Sequence, residues 1–214
     1  MSAPETHHDI FRGLHAVGAD FLVAGGTALT LHGVPRLTYD LDLLVGPDAG
    51  SAAKVRGLLA AWGYERQPDA APGHPPGTAV ERFRHPSAPL AEIDLVEVAP
   101  GEYAGLRERA AVFTLVDTPV PAVGRADLAR ALERGGRRED AEDLAGLGIL
   151  EAILRGEEGP GDDMRWVQIH KFQRWHTENR CEWLLAANRL RAGLPPDVAP
   201  PRDARFRAKR LWKR

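Results

Sequence analysis

The segment from residue 38 to residue 45, TYDLDLLV, places two aspartates at alternate positions within an apolar run. This period of two predicts a β-strand with Asp40 and Asp42 on one face and apolar side chains on the other. The apolar face carries Tyr39, Leu41, Leu43 and Val45. Two carboxylates on an otherwise apolar strand are costly to keep unless they bind something. The chain is therefore predicted to contain a sheet whose acidic face forms a binding site.

The segments around this strand predict a mixed sheet with helices against it. Helices are predicted at 8–18, 27–33 and 49–63, and further strands at 21–24, 79–85, 90–98 and 111–116. From Arg125 onward the pattern is helical. The predicted fold class is α/β (α+β), with a small mixed β-sheet core and a helical C-terminal region. We assign the core to residues 1–120 and the helical region, with a basic tail, to residues 121–214.

The composition of the chain limits which kinds of binding site it can form and where in the cell it is expected. The 214 residues are 43% hydrophobic and 27% charged, which is typical of a globular domain. The single cysteine, Cys181, excludes an internal disulfide and a zinc site of paired cysteines. The first residues lack the apolar run of a secretory signal, and no apolar stretch is long enough to span a membrane. We therefore expect a cytoplasmic protein without membrane contact.

A third aspartate completes the predicted acidic site. Asp94 lies in the predicted strand AEIDLVEV. Carboxylates two residues apart on a strand point the same way, so Asp40 and Asp42 can bridge one or two cations, and a neighbouring strand can add Asp94. Such oxygen ligands suit Mg²⁺. The paired glycines before this region, Gly25 and Gly26, would let backbone N–H groups approach phosphate oxygens.

The segment GGTALTLHGVPRLTYDLDLLV resembles the signature of the DNA polymerase β-type nucleotidyltransferase superfamily. Its residues are most similar to AbiEii-like and other minimal nucleotidyltransferases, several of which are toxins of toxin–antitoxin pairs. The resemblance implies a nucleotidyltransferase core that binds a nucleoside triphosphate and Mg²⁺, with two ions expected. It assigns catalysis and metal binding to Asp40, Asp42 and Asp94. It assigns contacts with the nucleotide phosphates to Gly25, Gly26 and Thr27.

A second match to AbiEii-like proteins lies in the segment RREDAEDL. Those proteins carry a lysine, then an arginine and two aspartates, and Arg137, Asp140 and Asp143 fit the last three. Leu132 stands where the lysine would be, so an arginine is expected to neutralise phosphate instead. The candidates are Arg134, Arg137 and Arg138, of which we assign Arg137 to the nucleotide. Arg36, before the acidic strand, either approaches the nucleotide or is an exposed arginine after a proline.

Three functions stay open from the residues and the resemblance. The first is a toxin-type nucleotidyltransferase that modifies RNA such as tRNA, or a protein, and has a cognate antitoxin as partner. The second is a nucleotidyltransferase acting on a small hydroxylated molecule such as an antibiotic. The third is a non-catalytic nucleotide- or partner-binding domain. Residues 201–214 carry seven basic residues against one acidic residue, and this basic tail favours RNA over an antibiotic.

The region after residue 160 is predicted to hold one long helix or two, over 163–192. Trp166, Ile169 and Phe172 follow a helical stripe, which indicates core packing rather than base stacking. Glu92 shares a strand face with Asp94 and is predicted to lie at the edge of the site rather than to bind metal.

Overall fold

The computed structural model describes residues 2–36, 38, 40–46, 49–68, 79–87, 92–159 and 163–178. Within these ranges seven strands form one sheet, in the order β3-β4-β5-β2-β1-β7-β6. The strands are β1 (Phe21–Val23), β2 (Asp40–Val45), β3 (Glu65–Arg66), β4 (Ala79–Arg84), β5 (Glu92–Glu97), β6 (Ala111–Leu115) and β7 (Thr118–Ala122). The helices are α1 (His7–Ala16), α2 (Gly25–His32), α3 (Ala49–Ala61), α4 (Pro100–Glu108), α5 (Arg125–Gly135), α6 (Arg138–Leu154) and α7 (Met164–Glu178).

The sheet is mixed, which confirms the predicted fold class. The central strand β2 is parallel to β5 and antiparallel to β1, and β1 is parallel to β7. Along β2, Leu41, Leu43 and Val45 are buried, while Asp40 and Asp42 are half-buried on the other face. The alternation predicted for this strand is therefore confirmed, except at Tyr39, which lies outside the described residues.

Helix α1 shows how local sequence and packing combine in this fold. Thr6 and Asp9 form a capping box, in which the Asp9 N–H donates to Thr6 Oγ1 at 3.2 Å and the Thr6 N–H donates to Asp9 Oδ2 at 3.0 Å. Ile10, Phe11 and Leu14 recur at helical spacing and are all 0% exposed. The cap fixes where the helix begins, and the apolar stripe fixes which face packs on the core.

Helix α2 begins at Gly25, two residues before the predicted start at Thr27. The residue before the helix, Ala24, is extended and makes no side-chain capping bond. The sequence pattern predicts only a turn at the glycine pair, with Thr27 near the cap. Gly25 has a φ of +56°, which glycine tolerates, so this residue both turns the chain and begins the helix.

Strands β3 and β7 and helix α4 are not predicted from the sequence. Strand β7 contains Pro119 and Pro121, and proline is usually evidence against an interior strand. Two residues after Pro121, Val123 donates its N–H to the Val23 carbonyl at 2.9 Å. Because backbone nitrogens alternate in direction along a strand, those of Pro119 and Pro121 face β1 as well. The ladder with β6 on the other side therefore needs no N–H from either proline, and β7 tolerates both.

The helices α5, α6 and α7 follow the sheet, as the helical pattern predicts. Ile169 and Phe172 are 3% and 0% exposed, which confirms core packing for these two residues of the α7 stripe, while Trp166 is half-buried. No helix in the described ranges is long and apolar enough to cross a membrane. The predictions made for Cys181 and for the basic tail lie outside the described residues, and the division of the chain at residue 120 stays a prediction.

The contact between α4 and α5 gives an expected dependence of stability on pH. Asp127 is 6% exposed and accepts hydrogen bonds from Arg109 at 2.9 and 3.0 Å, and it also pairs with Arg130. The bonds from Arg109 lower the pKa of Asp127 despite its burial. A carboxyl whose pKa is lower in the folded chain stabilises the fold above its unfolded pKa, and this stabilisation is lost as the pH falls through the folded value.

Asp127→Asn should therefore lower the free energy of unfolding at pH 7 and flatten its decline between about pH 5 and pH 2. Urea denaturation of both proteins across this range measures the effect. Parallel pH profiles for the variant and the wild type would contradict the role assigned to Asp127.

Candidate functional site

Three carboxylates come together where β2 pairs with β5. The parallel register places Asp42 beside Asp94 and Asp40 beside Glu92. Ligand oxygens of Asp40, Asp42 and Asp94 all lie within 4.8 Å of one another. Asp94 is 1% exposed, whereas Asp40 and Asp42 are half-buried. The structure thus brings together the three aspartates that the sequence predicts to form one site.

Gly25 lies directly against this acidic cluster at the start of α2. A Cβ built on Gly25 would lie 1.8 Å from Asp42 Oδ2, so the position excludes any side chain. The first N–H groups of a helix have no partner within the helix, and the N-terminus carries a partial positive charge. The acidic cluster therefore lies beside a helix start that suits phosphate oxygens.

The segment after α2 packs on this helix start. A Cβ on Gly26 would lie 2.8 Å from Thr38 Cβ and 2.9 Å from Arg36 Nε. The Thr30 hydroxyl oxygen is 3.0 Å from the carbonyl oxygens of both Gly26 and Arg36. Both glycines are therefore needed for close packing, and the Arg36 side chain lies across the first turn of α2.

The second matched segment reaches the same place from α6. Arg36 forms an ion pair with Asp143, whose side chain is 1% exposed. Arg137 donates Nη2 to Asp140 Oδ1 at 2.8 Å, and its backbone N–H donates to Asp140 Oδ2 at 3.0 Å. The hydrogen bonds to Asp140 raise the pKa of Arg137, and the nearby charge of Asp42 also contributes. Arg36 therefore lies beside the first turn of α2, Arg137 lies near enough to Asp42 to be affected by its charge, and each arginine is held by an aspartate of α6.

Two other residues singled out in the sequence have mainly packing contacts. Thr27 is 0% exposed, and its hydroxyl lies 3.5 Å from the Asp40 carbonyl oxygen. A contact between Thr27 and phosphate would therefore come from its backbone N–H. Leu132, which replaces the lysine of the AbiEii-like pattern, is partly buried against the hydrophobic core and contributes packing rather than charge.

Arg82, which the sequence pattern does not single out, lies opposite Asp94 in the antiparallel pair of β4 and β5. The Nε–H of Arg82 donates to Asp94 Oδ1 at 2.9 Å, and its Nη2–H donates to Asp94 Oδ2 at 2.8 Å. Its Nε is also 3.1 Å from Glu92 Oε1. Arg82 and Arg84 face Asp94 and Glu92 across the pair, so basic residues on β4 match acidic residues on β5. This match of charges predicts the contact only when the register of the two strands is known.

The cluster has the donor set that a divalent cation requires. Mg²⁺ binds carboxylate oxygens at about 2.0–2.1 Å, so oxygens within 4.8 Å can share one or two ions after small side-chain rotations. The missing Cβ of Gly25 leaves the room that Asp42 Oδ2 occupies beside the helix start. Asp40, Asp42 and Asp94 are therefore the residues that would hold the metal.

The sequence matches no protein-family model and no curated protein. Among solved structures it is similar to the lincosamide antibiotic adenylyltransferase LnuA in its lincomycin-bound form, at 12% identity and a TM-score of 0.52. The match covers 70% of this chain and 98% of that one. The chain has a nucleotidyltransferase fold.

Two further solved structures have lower scores. The Thermotoga maritima protein TM1012 is 14% identical, with a TM-score of 0.46 over 68% of this chain and 93% of that one. The complex of ANT(2")-Ia with adenylyl-2"-tobramycin is 13% identical, with a TM-score of 0.41 over 86% of this chain and 97% of that one. The AbiEii-like subfamily stays a prediction from the residues.

Proposed function

We propose that this protein is a metal-dependent nucleotidyltransferase, which transfers a nucleoside monophosphate from a nucleoside triphosphate to an acceptor hydroxyl. The observation that carries the proposal is the cluster of Asp40, Asp42 and Asp94, with oxygens within 4.8 Å, beside the glycine start of α2. The cluster lies in a fold similar to that of an adenylyltransferase. Cation ligands and a phosphate-binding helix start are the two parts that nucleotidyl transfer needs side by side.

The residues that would bind the phosphates are separate from the carboxylates that would bind the metal. The backbone N–H groups of Gly25, Gly26 and Thr27 would hold phosphate oxygens of the triphosphate. Arg36 and Arg137 lie on the side of α6 and would add positive charge against the same phosphates. Because Asp143 and Asp140 already fix these two side chains, little entropy is lost when the nucleotide binds.

The reaction follows from the carboxylates and the bound nucleotide. A divalent cation, when bound, neutralises charge that builds on the phosphate oxygens and on the leaving pyrophosphate. The acceptor oxygen attacks the α-phosphorus in line, a new P–O bond forms, and the P–O bond to the β-phosphate breaks. Pyrophosphate leaves, and a carboxylate of the cluster takes the hydroxyl proton.

A transfer assay tests this function directly. Purified protein is incubated with Mg²⁺, total cell extract and each of four α-labelled nucleoside triphosphates in turn. We expect label from one or more nucleotides to enter a product, and chelation of Mg²⁺ to stop it. Absence of a labelled product with all four nucleotides would favour a non-catalytic domain.

For the acceptor we propose RNA, such as tRNA, in a toxin-type enzyme of the cytoplasm with a cognate antitoxin. The support is the charge of the basic tail, where seven basic residues and one acidic residue give +6 over residues 201–214. A polyanion is attracted by such a tail, whereas a small neutral acceptor does not need it.

Deletion of residues 202–214 should weaken RNA binding and flatten its salt dependence, because each lost phosphate contact lowers the slope of log K against log salt by about 0.7–0.9. Filter binding of tRNA over a series of salt concentrations measures both quantities. Unchanged affinity and slope would remove the support for an RNA acceptor.

A small hydroxylated molecule such as an antibiotic is the second candidate acceptor. It is favoured by the fold similarity to LnuA, which binds lincomycin in the solved structure. Separating the labelled product by size distinguishes the two acceptors. Label in RNA supports the first candidate, and label in a compound of low mass supports the second.

A further inference from the structure

The guanidinium of Arg82 lies among the carboxylates of the site. It binds both oxygens of Asp94, at 2.9 and 2.8 Å, and reaches Glu92 at 3.1 Å. The Arg82 side chain is 19% exposed and that of Asp94 is 1% exposed, so the pair is largely shielded from water. Within a part of the chain so rich in acid, Arg82 compensates negative charge when no cation is bound.

The Arg82 guanidinium competes with a cation for Asp94. Two parallel N–H···O bonds engage both carboxylate oxygens, and one of these oxygens belongs to the cluster with Asp40 and Asp42. The hydrogen bonds to Asp94 raise the pKa of Arg82, with further contributions from the charges of Glu92 and Asp40. Arg82 is therefore a permanent positive charge whose field extends across β5 to β2.

Glu92 is a second carboxylate with which Arg82 can pair, and it lies on the same strand and the same face as Asp94. It lies two residues before Asp94 on β5, and its Oε1 is already within ion-pair distance of Arg82 Nε. When Asp94 turns an oxygen to a metal, Arg82 can keep its charge paired through Glu92. This explains why an acidic residue at the edge of the site is oriented towards an arginine.

We propose that Arg82 is a positioning residue that acts as the resident counter-cation of the site, holding Asp94 when the site is empty and shifting its pairing to Glu92 when Mg²⁺ binds. The inference rests on the proposed function. It makes Arg82 and Glu92 a pair with opposite effects on metal affinity. Removing Arg82 takes away a competitor of the cation, whereas removing Glu92 leaves Arg82 more firmly on Asp94.

Calorimetric titration of the full chain with Mg²⁺ alone tests the inference. Arg82→Gln should bind Mg²⁺ on the order of tenfold more tightly than the wild type, since a like charge near the ion is removed. Glu92→Gln should bind it more weakly. In the Arg82→Gln background, Glu92→Gln should change the affinity less than it does in the wild type, because its effect passes through Arg82.

Arg84→Gln is the matched control. Arg84 lies on the same face of the same strand, pairs with Glu92 at 3.3 Å, and is 62% exposed. Its loss should change Mg²⁺ affinity by less than about twofold, as expected for an exposed pair. Thermal melts give a second readout, in which Arg82→Gln lowers the Tm without Mg²⁺ and a larger Mg²⁺-induced rise recovers part of the loss.

The outcomes separate this inference from the proposed function. If the wild type binds no Mg²⁺, the metal site itself is wrong and the inference fails with it. If the wild type binds Mg²⁺ but Arg82→Gln binds it equally or more weakly, only the role of Arg82 is overturned. Should Arg82→Gln not fold, Arg82→Lys, which keeps the charge, is expected to retain near wild-type affinity, and a weakening of tenfold or more would overturn the inference.

Discussion

Replacing Asp42 with asparagine should reduce nucleotidyl transfer by about a thousandfold or more while the chain still folds. Metal ligands contribute several kcal/mol to stabilising charge in such a transition state, and each 1.4 kcal/mol is a factor of about ten in rate. Asp42 is half-buried on the face of β2 opposite the core residues Leu41 and Leu43. The substitution therefore changes the site and leaves the packed face intact.

The measurement is single-turnover transfer of label from the triphosphate, together with Mg²⁺ titration of the variant. Asp117→Asn is the control, because Asp117 lies in the turn between β6 and β7, is 77% exposed and pairs with His8. It should transfer label at the wild-type rate. Wild-type turnover in a folded Asp42→Asn protein would remove Asp42 from the mechanism.

Replacing Gly25 with alanine should destabilise the fold and abolish transfer together. The φ of +56° costs a residue with a Cβ roughly 1–2 kcal/mol, and the new Cβ would lie 1.8 Å from Asp42 Oδ2. That contact is shorter than any non-bonded separation, so either α2 or Asp42 must move. Movement of either one separates the acidic cluster from the start of the helix.

Gly57→Ala is the matched control for Gly25→Ala. Gly57 lies within α3 and is exposed, and a Cβ added there would have no atom within 4 Å. Alanine there should stabilise the helix by about 0.5–1 kcal/mol. Urea denaturation and the transfer assay are run on both variants. A Gly25→Ala protein with wild-type stability and transfer would show that neither the strain nor the contact matters.

The three aspartates of the acidic cluster could be predicted from the sequence because their signals are local. Asp40 and Asp42 are two residues apart, and a strand places such residues on one face whatever surrounds it. Asp94 was found in the same way, from an aspartate inside an apolar run. That its oxygens lie within 4.8 Å of the other two depends on the parallel pairing of β2 with β5, which no local pattern specifies.

Strand β7 and the start of α2 show where local rules fail. Proline is usually absent from interior strands, yet Pro119 and Pro121 are accommodated because their positions place no demand on the ladder with β6. At Gly25 the glycine serves both as a turn and as the first residue of a helix. In both cases the neighbouring strand or side chain decides the outcome.

The sequence by itself determined the alternation of β2, the apolar stripe of helix α1 and the identity of the three carboxylates, because each depends on residues of one helix or one strand. Only the tertiary structure decided which arginine pairs with which aspartate. Arg82 reaches Asp94 through the register of β4, and Arg36 reaches Asp143 across more than one hundred residues of chain. The physical reason is that charge pairing acts through space over a few ångströms, whereas sequence separation carries no information about such distances until the chain is folded.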